Sequence, residues 1–342
     1  MKKVHAKRSW IFFVVLALVL VLGKTPVFAA SVSDFAGLKA AANRGDSSIT
    51  ITGNIIVTET LEIKKDVTIS GDPKNRPKLI LADGFSKDQM FKVPEGKSLT
   101  LNDIILDGKS KGRLINVKGG TVTLKMADLQ NGSTEPIKQN EKGDQNFSGG
   151  AILATKGVKQ GSTVTIKGGF FVDNNTGSKV LSKDRFAEGG AIKIEDSTLT
   201  IDGTSFIDNH LDSSATEGGR QGGAIEATRT NVEIDNARFT ILGPFNTGGD
   251  IKFENCSEAS VNNSSFALRG KKDVVGVAGG AITSEGSNLT IDNSIFNTGK
   301  GSYVQESGGL IQVAGTGHSF FDVPAGHWAQ AAIDSPRRSR RT

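Results

Sequence analysis

The chain has 342 residues, 42 of them glycine, and only 6% are aromatic, nearly all phenylalanine. Its formal net charge of +5 is carried by five basic residues of the leader (Lys2, Lys3, Lys7, Arg8 and Lys24), so the rest sums to about zero, and Arg337, Arg338, Arg340 and Arg341 crowd the last six positions. The stretch between is mildly acidic, which argues against nucleic acid as a partner, and a single cysteine, Cys256, excludes an intramolecular disulfide.

Residues 1–29 have the three parts of a secretory signal. Lys2 to Arg8 is basic, Ile11 to Leu22 is an unbroken apolar run, and Val27-Phe28-Ala29 forms a cleavage site. The apolar run is short for a membrane span, so no integral membrane segment is expected after cleavage. No cysteine follows the run to carry a lipid. The mature chain is expected to begin near Ala30. Val32 to Ala42 predicts a short amphipathic helix, with Ser33 as N-cap and Phe35, Leu38 and Ala42 on one face. Such a helix would cover the first exposed rung of a stacked sheet, an edge that must be blocked. Ile49 to Gly71 then alternates apolar and polar residues as half-buried strands do. Leu99-Thr100-Leu101 and Val122-Thr123-Leu124 continue that pattern.

From Gly149 onward the chain repeats itself. Gly-Gly recurs at Gly149, Gly189, Gly222, Gly248, Gly279 and Gly308, each pair followed by one residue and then Ile152, Ile192, Ile225, Ile251, Ile282 or Ile311. The intervals drift, so a constant unit carries loops of variable length. After each glycine pair comes a short alternating strand. Its inward positions are the isoleucines and then Ile194, Ala227, Phe253 and Ser284; its outward positions are Lys193, Glu226, Lys252 and Thr283. A second strand follows, as in Thr198 to Asp202, Asn231 to Asp235 and Asn288 to Asp292. Polar corners begin at Asp202, Asp235, Asn262 and Asp292, and a phenylalanine recurs four residues on, at Phe206, Phe239, Phe266 and Phe296. Asn, Asp and Gly suit such corners because they tolerate left-handed backbone.

Three short strands per coil, stacked about 4.8 Å apart, put isoleucine on isoleucine and phenylalanine on phenylalanine. The expected fold is all-β, a right-handed parallel β-helix over residues 30–316 with a short N-terminal capping helix. Roughly eight coils fall between Leu61 and Asn297, a rod of about 40 Å. Insertions at Ser133–Ser148, Thr176–Glu188, His210–Gln221 and Gly270–Ala278 all lie between a phenylalanine strand and the next glycine pair. They must emerge along one edge, where repeat proteins place binding surface.

The outward charges Lys193, Glu195, Glu226, Lys252, Glu254 and Glu285 are the material available for a lyase base or a hydrolase acid pair. Lys193, Glu226 and Lys252 alternate in sign up one ladder, which fits charge-complementary stacking on a solvent face. The Asp202, Asp235, Asn262, Asp292 ladder fits corner chemistry, and the phenylalanine ladder fits core. Cys256 is expected to be a small buried or corner residue. His5, His210, His318 and His327 have no metal-ligand spacing among them. Gly218-Gly-Arg-Gln-Gly-Gly223 lacks the ending and context of a phosphate loop. No residue is assigned a catalytic, cofactor-binding or metal-ligating role, and no cofactor is expected.

Two resemblances follow from these motifs. Gly-Gly-Ala-Ile at Gly149, Gly189, Gly222 and Gly279, with Phe-x-x-Asn at Phe171/Asn174 and Phe206/Asn209, resembles the repeats of chlamydial polymorphic outer-membrane proteins and related bacterial β-helix adhesins. Later copies keep the phenylalanine and lose the asparagine. The N-terminal portion is similar to the pectate-lyase-like adhesive domains of Gram-positive surface proteins, and together the two cover about Ser31 to Gln312. Phe321, Asp322, Val323, Pro324, His327, Trp328, Ala329, Ala332 and Ile333 resemble the opening of an S-layer homology domain, a module that binds secondary cell-wall polymers. Only about twenty residues of it are present before the arginine-rich end, so 317–342 is expected to be a truncated segment with a basic tail. The resemblances imply a secreted protein of the cell surface or cell wall, an adhesin or structural binding module. Its partner would be a host or cell-wall polysaccharide or a surface protein. The alternatives are a lyase or hydrolase of an acidic polysaccharide, and a truncated surface-protein fragment without activity.

Overall fold

The computed structural model describes residues 29–134, 148–176, 187–211, 220–241, 250–268, 276–278, 281–298, 304–307, 311–314 and 318–320. The leader, the Phe321–Ile333 motif, the basic tail and the glycine pairs at Gly248, Gly279 and Gly308 lie outside the described residues.

The chain forms a parallel β-helix. Three long sheets share the coils, and within each sheet a strand's neighbours come from the coil before and the coil after. Among the described residues the alternating sheet has 11 strands, from Ala29–Val32 to His318–Phe320. The phenylalanine sheet has 9, from Ile55–Val57 to Ile295–Thr298, and the glycine-led sheet has 9, from Leu61–Glu62 to Ile311–Ala314. Strands of two to six residues could not persist alone; each draws its hydrogen bonds from the rungs on either side.

The register is the one the repeat predicts. Ile152, Ile192, Ile225, Ile251, Ile282 and Ile311 are successive Cα partners in the glycine-led sheet, and the first five are fully buried. Phe171, Phe206, Phe239, Phe266 and Phe296 form one stack, with ring centroids 4.9, 4.8, 4.7 and 4.7 Å apart. That distance is the rung spacing itself, so the sheet holds the rings in parallel contact. Below Phe171 the column continues as Leu129, Leu106, Leu79 and Ile55.

The corners are built from residues in left-handed backbone. Gly203, Asn236, Asn263 and Asn293 have φ of 67, 51, 48 and 44°, each directly after Asp202, Asp235, Asn262 or Asp292. The asparagines also tie one coil to the next. Asn236 donates to Asp202, Asn263 to Asp235 and Asn293 to Asn263, at 3.2, 2.7 and 2.7 Å. At another corner Ser197, Thr230 and Ser287 each donate to the carbonyl two residues back, and Cys256 takes the same place at 1% exposure. Cys256 is thus a small buried corner residue.

The N-terminal helix spans Phe35–Arg44 and buries Leu38, Ala41 and Ala42 against the first strands of the rod. Its N-cap is Asp34, not Ser33: the Asp34 carboxylate accepts the Gly37 N–H at 2.7 Å, the reach an N-cap needs. Gly45 ends the helix at φ 87°. Among the described residues no helix is long and apolar enough to cross a membrane.

Candidate functional site

The glycine pairs set the entrance to the glycine-led strands. Gly189 has φ 55°, and a Cβ there would lie 2.0 Å from the carbonyl oxygen of Ile192. A Cβ on Gly190 would lie 2.1 Å from the carbonyl oxygen of Gly223 on the next coil. One glycine is demanded by the turn and the other by coil-on-coil contact.

The loops leave and return on stems that are themselves stacked. Asn175–Thr176 pairs with His210–Leu211, and Ala187–Glu188 pairs with Arg220–Gln221. Isolated bridges join Ser133 to Asn175 and Ser148 to Glu188. The asparagines of Phe-x-x-Asn anchor the departing stem. Asn174 and Asn209 are buried; Asn174 donates to Asn209 and to the Leu129 carbonyl, both at 2.9 Å, and Asn209 donates to the Phe171 carbonyl at 2.8 Å. Each asparagine supplies the backbone where the strand breaks away, which explains the motif.

These stems change the environment of the outward ladder. Lys193, Glu226, Lys252 and Thr283 are stacked in register, but they do not form a solvent face. They are only 6, 0, 5 and 4% exposed. Strict alternation assigns them to water, but beside Lys193 the returning stem closes that side. Glu188, on the stem, reaches Lys193 Nζ at 3.1 Å. Glu226 and Thr228 complete the set at 2.9 and 3.1 Å, so all three N–H bonds of the Lys193 ammonium have acceptors. Burial acts to lower the Lys193 pKa, but Glu226 and Glu188 outweigh it and hold the ammonium charged. Glu226 is different: burial pushes its carboxyl up to about 8, and the nearby Glu188 charge adds to the shift against the pull of Lys193. Lys193, Glu188 and Glu226 therefore form one cluster gathered around the ammonium. Lys252 bridges Glu254 and Glu285 at 3.5 and 3.4 Å.

The rung that begins at Asp250 places a carboxyl where its neighbours have a methyl group. Where other coils place Ala151, Ala191, Ala224 and Ala281, all buried, this coil places Asp250. Its 3% exposed carboxyl is pushed well above the ordinary range by burial. Asp250 Oδ2, Glu226 Oε2 and Thr283 Oγ1 are buried without a hydrogen-bond partner. Unpaired buried oxygens are uncommon and mark a polar interior on three adjoining rungs.

In front of Lys193 the stems and rungs enclose a pocket of about 150 Å³. Glu188, Glu195 and Glu254 supply its carboxylates, Ser148, Thr155 and Thr228 its hydroxyls, Lys193 its ammonium and Leu153 its one apolar side chain. Glu195 is partly engaged from outside by Arg229, which also chelates Asp196 at 2.8 and 3.0 Å. The outward charges named from sequence thus fall in one neighbourhood: Lys193, Glu195 and Glu254 line the pocket, Glu226 and Lys252 are buried in register with Lys193 on the following rungs, and Glu285 holds Lys252. Glu188 and Asp250 were not singled out. Asp250 was visible as an aspartate in an alanine column, whereas Glu188 acts only through the path of its loop.

Asp202, Asp235, Asn262 and Asp292 lie at corners, and Asp202 and Asp235 accept from the asparagines of the following coil. Arg220 and Gln221 of the glycine-rich 218–223 segment form a stem strand, and His210 lies on the departing stem. Among the described residues no three His, Cys, Asp or Glu side chains converge as a metal site. No protein-family model matches the chain, and comparison with curated proteins gives no significant match.

Proposed function

We propose that this is a secreted bacterial cell-surface protein whose β-helix is a rigid adhesive or structural module. Its loop-bearing edge and the pocket beside the glycine-led sheet form the binding surface for a polysaccharide or surface protein. The observation that carries this reading is the saturation of Lys193. A lyase base must offer a lone pair, and this ammonium is held charged by Glu226, Glu188 and Thr228. Lys252 and Arg229 are likewise tied into carboxylates. Groups locked together in this way stiffen a surface and present shape and charge. The rod is well suited to the role: a single stacked core carries the pocket at a fixed height along its length.

The alternative is a lyase or hydrolase of an acidic polysaccharide. It draws support from Glu226, a carboxyl raised to about 8 beside a second carboxylate, Glu188, because acid–base pairs are made by such separation. Incubation with a panel of polyuronates and Ca²⁺, following unsaturated product by ultraviolet absorbance, distinguishes the two. The binding module retains polysaccharide in a pull-down and releases no product; clear turnover replaces it with the enzyme.

A further inference from the structure

The pocket's chemistry is lopsided in a way that specifies its ligand. Its one cation is spent, since the three N–H bonds of Lys193 are all accepted from within the chain. Its acceptors are not. A carboxylate offers about four lone-pair sites, and among the described residues Glu188, Glu195 and Glu254 each meet only one or two donors. Glu188 meets Lys193 and the Ser148 hydroxyl, Glu195 meets Arg229, and Glu254 meets Lys252. The wall therefore asks for donors and offers few. A polyuronate would bring further carboxylates against three that are already there.

Size and lining narrow the ligand further. About 150 Å³ holds one sugar ring. The hydroxyls of Thr155, Thr228 and Ser148 match the hydroxyls of a sugar, while Leu153 alone would support the methylene stem of a lysine side chain. We infer that this pocket binds an amino sugar bearing a free ammonium group, as one unit of a partly de-N-acetylated polysaccharide. The ammonium lies among Glu188, Glu195 and Glu254, and the ring hydroxyls meet the threonines and the serine. N-acetylation removes the charge and adds bulk where the carboxylates converge, so it opposes binding. This inference rests on the binding-module reading and gives it a ligand class.

The test is calorimetric titration of the full chain with β-1,4-glucosamine oligomers, N-acetylated oligomers of equal length, oligogalacturonate and oligolysine. Mild acidity keeps the amine charged. The expected result is binding of the free-amine oligomer about tenfold or more tighter than of the acetylated one. Glu195→Gln and Glu254→Gln, isosteric and partly exposed, are expected to weaken it by a similar factor, with the melting curve of each variant confirming that it is folded. Equal or stronger binding of the acetylated, uronate or lysine ligand overturns the inference, as does full affinity in both variants. The comparison of ligands on the unaltered chain stands even if a variant fails to fold. Binding of some other polysaccharide elsewhere on the rod would leave the module reading intact and remove only this ligand; binding of no surface polymer at all would remove both.

Discussion

Lys193 and Glu226 stand on neighbouring rungs in direct register, and their side chains meet at 2.9 Å where both are buried. A buried ion-pairing group is costly to orphan and much cheaper to replace together with its partner. Lys193→Met is therefore expected to destabilise the fold by about 3–5 kcal/mol, read as a shift in the denaturant midpoint. Lys193→Met combined with Glu226→Leu is expected to recover most of that loss. A double variant no better than the single one would show that the pair is not the unit that matters.

Stability should also depend on pH with a definite sign. Glu226 in the folded chain titrates at about 8, against an ordinary value of 4.5. Between those values the folded chain holds a proton that the unfolded chain has released. The contribution is fully present below the lower value and is lost as pH rises through about 8. Asp250, raised by burial, acts in the same direction. The difference in melting temperature between the unaltered chain and Glu226→Gln is expected to shift steadily in favour of the glutamine as pH rises from 5 toward about 8. A difference that stays constant across that range would contradict the burial assigned to Glu226.

The phenylalanine stack makes a packing prediction. Phe239 is 1% exposed and has a ring on either side, at 4.8 and 4.7 Å. Phe239→Ala is expected to cost about 3–5 kcal/mol by denaturant unfolding, because the rungs above and below cannot close into the gap without breaking register. Phe239→Leu should cost distinctly less. Equal losses would mean that the ring contact alone, not the volume it fills, sets the penalty.

Two glycines with similar backbone give the cleanest contrast. Gly189 and Gly203 have φ of 55 and 67°, but a Cβ meets the Ile192 carbonyl at 2.0 Å in the first and nothing within 4 Å in the second. Gly203→Ala is expected to cost about 1–2 kcal/mol, the left-handed backbone alone. Gly189→Ala should cost clearly more, because the turn must also open. Melting curves that coincide for the two would show that the motif is not held by that contact.

The columns were legible in the sequence because a rod of identical coils writes its stacking as periodicity. The isoleucines, the phenylalanines and the Asp/Asn corners each repeat at one place in the unit, so their register could be stated before any coordinate. The burial of Lys193, Glu226 and Lys252 was not legible. Alternation tells which face of a strand a side chain takes, not whether a loop stem will stand against that face. Glu188 illustrates the gap: it precedes its glycine pair by one residue, and only the path of the returning chain brings it to Lys193. The helix cap failed on a smaller scale, since Asp34 and Ser33 are adjacent and both have the chemistry of an N-cap.

The most direct test of the stacked rod measures distance against rung number. Thr68, Thr100, Thr123, Thr165, Thr200, Glu233, Ser260 and Thr290 form one column on the alternating sheet. Spin labels at Thr68 and Thr200 span four rungs, and labels at Thr68 and Thr290 span seven. In a Cys256→Ser background, pulsed dipolar spectroscopy should give separations of about 19 and about 34 Å, at about 4.8 Å per rung. Separations that do not grow in proportion to rung number would contradict in-register stacking, and with it the rigid binding module built on it.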